Sequence, residues 1–395
     1  MRTLLLVSAC VFVLAPAPSA LAVGSTTFLV QVGVQTANID QTKANFGQVG
    51  TALTAFTQNN TGGTGKNIIH IIQANTGAPH QSANNTVNGV QSGSTNLASI
   101  YQYGNTGRVI INQIGDNNGN WIAFTHTIEQ KESADHNSVE LSTTGNDNDF
   151  SVLQEGGVGN TAAISQIGSS NTVSTTQNGA NLVLSVVQSG PSNLNSVLSN
   201  QLGSQHSLAV TQDGGGGHAA NSDQNGIGNS TTVIQHGASQ QVFSTQSVGG
   251  TGVLGNAATF VQDGSGNQAH NTQSGSSGRL RVNQTGRDNE VTLSDQIGNG
   301  NIALLIQSDT RNIVVLYQNG NINNASSSQS GGYQLATLSQ YGSNNTIVGT
   351  QAGGGNSPAL GNSAIVTQGA EAARSNGNAA TYSQSGAGHS LTIRQ

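Results

Sequence analysis

The chain has 395 residues, a formal net charge of -6 and only 7% charged residues, against roughly 25% in typical globular proteins. Gly (53), Asn (46) and Gln (37) together make about a third of it, and 34% hydrophobic with 4% aromatic residues is too little apolar area to build a thick core against backbone ordering of roughly 1–2 kcal/mol per residue. That argues against an ordinary soluble enzyme, and eleven Lys and Arg residues without a basic cluster give no footing for nucleic-acid binding through phosphate neutralisation.

Arg2 precedes an apolar run from Leu4 to Leu14, then Pro16, Pro18 and Ala20-Leu21-Ala22, the order of charge, apolar stretch and cleavage site in a secretory signal. Residues 1–22 are therefore expected to be a signal peptide and the mature chain to be exported. No later stretch approaches the 18 or so apolar residues of a membrane helix. Val7-Ser8-Ala9-Cys10 resembles a lipoprotein box, but too few residues precede Cys10 and the apolar run continues past it. Cys10 is the only cysteine, so the mature chain is expected to hold together without disulfides. Residues 23–66, with Gln31-Val32-Gly33 and Gln48-Val49-Gly50, carry no regular spacing and read as an irregular N-terminal segment.

From residue 67 onward the chain is periodic. Fifteen successive glutamine intervals are eleven residues long, as in Gln91, Gln102, Gln113; Gln166, Gln177, Gln188; Gln296, Gln307, Gln318, Gln329, Gln340, Gln351; and Gln384, Gln395. The residue at offset 7 from the glutamine is apolar in fourteen of these intervals, and that at offset 9 is Ile, Leu or Val in ten. Asn stands at offset 5, as at Asn96, Asn171, Asn301, Asn312, Asn323 and Asn345, and Gly at offset 2, as at Gly93, Gly104, Gly168, Gly179, Gly298, Gly320, Gly331 and Gly342. The form Asn-x-apolar-x-apolar-x-Gln also fits where the spacing slips, for example Asn67-Ile69-Ile71-Gln73 and, more weakly, Asn120-Ile122-Phe124-His126 and Asn137-Val139-Leu141-Thr143. Counted this way, 27 units fill residues 67–395, with loop insertions near 114–147, 247–255 and 352–361.

Eleven is also the period of a right-handed coiled coil. The special positions, however, fall at offsets 5, 7, 9 and 11, all of one parity, which places them on one face of a strand and scatters them around a helix. Each unit is therefore a strand followed by a turn. A six- or seven-residue strand runs about 20 Å, and a short Gly/Asn/Ser turn can only reverse it. Two units, 22 residues, must make one rung, and the rungs must stack about 4.8 Å apart. The expected fold is all-β: a two-sheet β-solenoid with cross-β geometry. Some thirteen rungs would have Gln and Asn in amide ladders and the offset-7 and offset-9 residues between the sheets. Four small apolar side chains per rung cannot order it in isolation, so each rung needs a neighbour. The last unit, His389-Leu391-Ile393-Gln395, ends on the ladder glutamine and reads as an open end. Sparse charge and low hydrophobicity further suggest an exported monomer that stays largely disordered until it meets a template.

The pattern Gln-x-Gly-x-x-Asn-x-Ala-x-x-x-Gln resembles the curlin repeat of curli fibre subunits, a bacterial functional amyloid of biofilm matrix. The stretch Asn301-Ile302-Ala303-Leu304-Leu305-Ile306-Gln307 through Asn312 to Tyr317-Gln318-Asn319-Gly320 carries it most closely, and such units cover about 330 residues. The resemblance implies a subunit that leaves through a dedicated curli-type secretion pore with accessory proteins. It also implies extension of a cell-surface fibre beside a nucleator or major-subunit partner, with 23–66 in the place of the secretion-recognition segment. This chain departs from familiar subunits in having more than twice their five or so repeats, several of them lacking Asn.

Other chemistries fit less well. His206, His218 and His389 stand at the Asn position, and the remaining six histidines are scattered without a His-x-x-x-His pair, so no metal or other cofactor is expected. Gly145-Asn146-Asp147-Asn148-Asp149 lacks the Gly and Glu of a calcium loop, and Gly214 to Gly217 lacks the Lys of a phosphate loop; both read as turns. Glu129, Lys131, Glu132, Asp135 and Glu140 form the one local concentration of charge, read as a solvated loop rather than a partner-binding insertion. Outward positions such as Arg279 and Arg281, Ile302 and Leu304, and Ile313 and Val315 are mixed in character. An adhesin that works as a monomeric β-solenoid is the competing class, and no paired carboxylates support an enzyme.

Overall fold

The computed structural model describes residues 26–32, 35–43, 53–59, 67–75, 85–104, 106–119, 127–131, 135–190, 194–248, 254–355, 357–370 and 375–395. Among them every regular element is a β-strand except the short 3-10 turn Pro358–Leu360. The expected signal peptide, and the weak unit at Asn120, lie outside the described residues.

The chain forms two compact units, Met1–Leu182 and Val183–Gln395. Within each, a strand pairs in parallel with the next strand but one, so successive strands alternate between two sheets; the short strand Ser375–Asn376 lies off this path, pairs with Leu335–Ser343, and is skipped by the last two pairings. In the first unit Thr26–Val32, Leu53–Asn59, Thr86–Ser92 and Arg108–Ile114 follow one another in one sheet. Gln35–Lys43, Asn67–Asn75 and Leu97–Gln102 do so in the other. In the second unit Arg279–Arg287, Ile302–Thr310, Asn324–Ser330 and Thr346–Gly353 build one sheet. Glu290–Ile297, Ile313–Asn319, Leu335–Ser343 and Ser363–Gln368 build its partner. This is the two-strand rung of a β-solenoid that the strand length requires.

Three expectations need correction. The array begins before Asn67, because Thr26–Val32, Gln35–Lys43 and Leu53–Asn59 already pair in register in a segment read as irregular. The span 114–147 holds, besides the strand Ser138–Thr144 expected from the unit at Asn137, a further strand, Thr127–Gln130, where an insertion was expected. The rung is not uniformly 22 residues either. Gln91 and Gln113 partner at a separation of 22, but Gln102 and Gln130 at 28 and Gln351 and Gln384 at 33. A parallel ladder fixes which residues stack and leaves the turn length free, so the additional residues leave in the turns. Glu290–Ile297 is the exception: the spacing from Asn289 to Gln296 is one residue too long, and a bulge near Leu293 absorbs it.

Side chains alternate in and out along each strand. Ala303 and Leu305 face Val314 and Leu316 between the sheets, all essentially without solvent contact, while Ile302 and Leu304 point outward. Core residues are mostly Ala, Val, Leu and Ile, and Phe150 and Phe260 are the largest fully buried. Two further aromatics are matched by glycine in the adjoining rung: Phe56 pairs with Gly89, and Tyr382 with Gly349. A Cβ on Gly89 would lie 2.4 Å from the Phe56 ring.

Many turns contain two left-handed residues, as Gly93 with Thr95 and Gly320 with Ile322. Gly298, Gly320 and Gly342 stack with φ of 106°, 136° and 103°, and a Cβ on Gly320 would sit 1.7 Å from the Gly342 carbonyl oxygen. Glycine is needed there both for its φ and for the close approach of the next backbone. At many corners the residue just before the Asn is also left-handed, as Thr95, Asn117, Asp147 and Ile322 are, a constraint that the sequence does not display as a fixed residue type. Gly320→Ala is expected to lower the stability of the array by at least about 2 kcal/mol, measured as a lower guanidinium midpoint for loss of β signal.

Candidate functional site

Polar columns run along the corners of both units. In the second unit Gln262 Nε2 donates to Gln284 Oε1 at 2.7 Å, Gln284 to Gln307 at 2.9 Å, Gln307 to Gln329 at 3.0 Å, Gln329 to Gln351 at 2.9 Å and Gln351 to Gln384 at 2.8 Å. The facing column runs from Gln273 through Gln296, Gln318, Gln340 and Gln368 to Gln395, at 2.6 to 3.0 Å. Every one of these donors points toward higher residue number, so the ladder has a direction. Each glutamine also donates to a backbone carbonyl of the facing strand, as Gln307 to Glu290 at 3.0 Å and Gln318 to Ile302 at 3.1 Å. One side chain therefore ties its rung to the next rung and to the opposite sheet.

The first unit repeats this arrangement. Gln58 donates to Gln91 and Gln91 to Gln113, while Gln102, Gln130, Gln154 and Gln177 form the other column. Thr143 takes the glutamine position between Gln113 and Gln166. Gln188 donates to Gln212 at the start of the second unit. The ladder glutamines are about 0–1% exposed, except Gln384 at 7% and the exposed Gln395. Gln58 and Gln130 escape the eleven-residue spacing. Gln130 sits inside the charged segment read as a solvated loop, and Ile128, buried two residues before it, was the available signal. The charge beside it is spent locally: Lys131 Nζ pairs with Glu155 at 3.0 Å.

The asparagines at offset 5 act on the turns. Asn323 N–H donates to Asn301 Oδ1 at 3.0 Å, and Asn345 N–H to Asn323 Oδ1 at 3.1 Å. Asn301 Nδ2 donates to the Gly320 carbonyl and Asn323 Nδ2 to that of Gly342, both at 2.9 Å. Asn96, Asn171 and Asn312 receive the same treatment, their N–H groups donating to Asn67, Asn148 and Asn289. The corner amide thus supplies an acceptor for one rung's N–H and a donor for another turn's carbonyl, which is why Asn is frequent there. Other residues hold these columns too. Gln334 Oε1 accepts the Asn362 N–H at 3.1 Å, and His206 and His218 do the equivalent with ring nitrogens.

Among the glycines singled out from sequence, Gly93, Gly168, Gly179, Gly298, Gly320, Gly331 and Gly342 have positive φ, and Gly104 offers its carbonyl to Asn85 Nδ2 at 2.9 Å. Asp147 is a left-handed turn residue in contact with Asn117. Gly214 and Gly216 lie at an irregularity near the end of Ser207–Gly216, so the Gly run is a strand end with a bulge. No group of three or more His, Cys, Asp or Glu suited to a metal is present among the described residues, and no helix among them is long and apolar enough to cross a membrane. Compared with known protein families and with curated proteins, the chain matches none.

Proposed function

We propose that this chain is a secreted structural subunit of a curli-like amyloid fibre at the cell surface, which self-assembles by end-to-end strand stacking and serves biofilm matrix and adhesion. The observation that carries this reading is the self-complementarity of the rung. Most interior rungs have their ladder amides, corner amides and strand edges met by rungs that carry the same groups in register, Thr143 being a break in the glutamine column, so a second copy of the chain offers an outer rung what an inner rung already receives. Ala379–Gly386 and Ser390–Arg394 carry no further strand on their outer edge among the described residues. There the inward Leu391 and Ile393 are partly exposed, while their in-register neighbours Ala364 and Val366 are 0% exposed.

The directional ladder adds polarity. A stack extended at such an edge keeps all amide donors pointing one way, so chains add head to tail. The partners are further copies, a related subunit that starts or extends the fibre, and the export apparatus. Electron microscopy and diffraction from oriented samples of residues 23–395 test the reading. Long unbranched fibres with a meridional reflection near 4.8 Å are expected. Separate soluble rods one chain long would instead favour a monomeric adhesin.

A further inference from the structure

We propose that His206 and His218 make the section of the array they join acid-labile: neutral, each imidazole replaces a corner asparagine, and protonated, it cannot. His206 Nδ1 accepts the Asn229 backbone N–H at 3.1 Å, and its Nε2 lies 3.0 Å from the Leu202 carbonyl. His218 Nδ1 accepts the Gln240 N–H at 3.4 Å, with Nε2 3.0 Å from the Asp213 carbonyl. An N–H facing Nδ1 requires a lone pair there, and a carbonyl facing Nε2 requires a proton there. Only the neutral Nε2–H tautomer meets both demands. It does what Asn Oδ1 and Nδ2 do at such a corner: Asn229 Nδ2 donates to the Asn225 carbonyl four residues back, as His206 does to Leu202, while His218 reaches five back to Asp213.

Both imidazoles are about 1% exposed. A second proton would set Nδ1–H against a backbone N–H inside a corner closed to water, so the bond between rungs is lost and a buried charge is left in its place. The titratable and charged residues on the surrounding strands are Asp213, Asp223 and His236. Asp223 points outward and is exposed. Asp213 favours charge on His218, but its carboxylate is paired with His236 Nδ1, and His236 opposes charge on His218. No charged side chain acts on His206. Burial accordingly lowers both groups below the ordinary histidine value, whereas exposed His236 is held above it by Asp213.

The sign follows from proton binding. The folded corners bind fewer protons than the unfolded chain, so this contribution to stability is complete above the unfolded value of about 6.5. It falls as pH drops below that value, and the loss ends once the folded corners are themselves protonated. Corners built from Asn or Gln have no such dependence. The inference concerns the folded array and holds whether or not chains assemble.

Hydrogen exchange of the full chain at pH 7.5 and 5.0, corrected for intrinsic rates, tests it. Peptides reporting Asn229 and Gln240 are expected to lose protection on the order of tenfold at pH 5.0, while those reporting Asn323 and Asn345 keep theirs. His206→Asn with His218→Asn, which installs the array's own corner residue, is expected to abolish the loss, and His236→Gln to leave it in place. Equal protection at both pH values in the parent chain, or a loss that follows His236 instead, would overturn the proposal.

Discussion

Replacing Gln307 and Gln318 together by alanine is expected to destabilise the array by about 3–6 kcal/mol and to slow fibre growth at least tenfold. Gln307 donates to Gln329, Glu290 and Asn312 and accepts from Gln284; Gln318 donates to Gln340 and Ile302 and accepts from Gln296. Truncation leaves the donors on Gln284 and Gln296 and the acceptors on Gln329 and Gln340 short of a partner, in positions closed to water. The orphaned groups, more than the deleted ones, set the size of the effect. Denaturant midpoints and growth rates measured side by side check it, and unchanged kinetics would mean that the apolar pair alone sets register.

Gly349→Val is expected to cost about 3 kcal/mol, because a Cβ there would lie 2.0 Å from Tyr382 Cζ and 2.3 Å from its hydroxyl. The position is the offset-9 site of its unit, in register with Leu305, Ser327 and Tyr382. It is glycine because the Tyr382 ring, 4% exposed, fills the space a side chain would take. Combining Gly349→Val with Tyr382→Leu should recover most of the loss. A double-mutant cycle gives the coupling directly, and additive losses would show that the ring does not occupy that space.

This pair shows where the sequence was legible and where it was not. Strand, turn and the pairing of units into rungs follow from parity: Gln307, Ala303 and Leu305 share a face only if the chain is extended, and a short turn such as that at Gly298 can only reverse it. Exceptions to the repeat, such as Gly349 at an apolar position and Thr143 at a glutamine position, make sense only beside a partner rung that lies 22 to 33 residues away, a distance set by turns of unequal length. The same variable length hid Gln58 and Gln130 from a fixed eleven-residue spacing. His206 and His218 were recognisable as Asn substitutes by position, but their ring nitrogens acquire a role only when the carbonyls of Leu202 and Asp213 close on them.

Growth from preformed ends tests the central claim most directly, because it asks whether the groups that stack rungs within a chain also stack chains. Residues 23–395 diluted from denaturant into buffer, followed by thioflavin T fluorescence with and without fragments of the chain's own fibres, should show a lag that the fragments abolish, with added monomer extending them. A soluble, cooperatively unfolding monomer with full β signal at submicromolar concentration, indifferent to added fragments, would contradict the account.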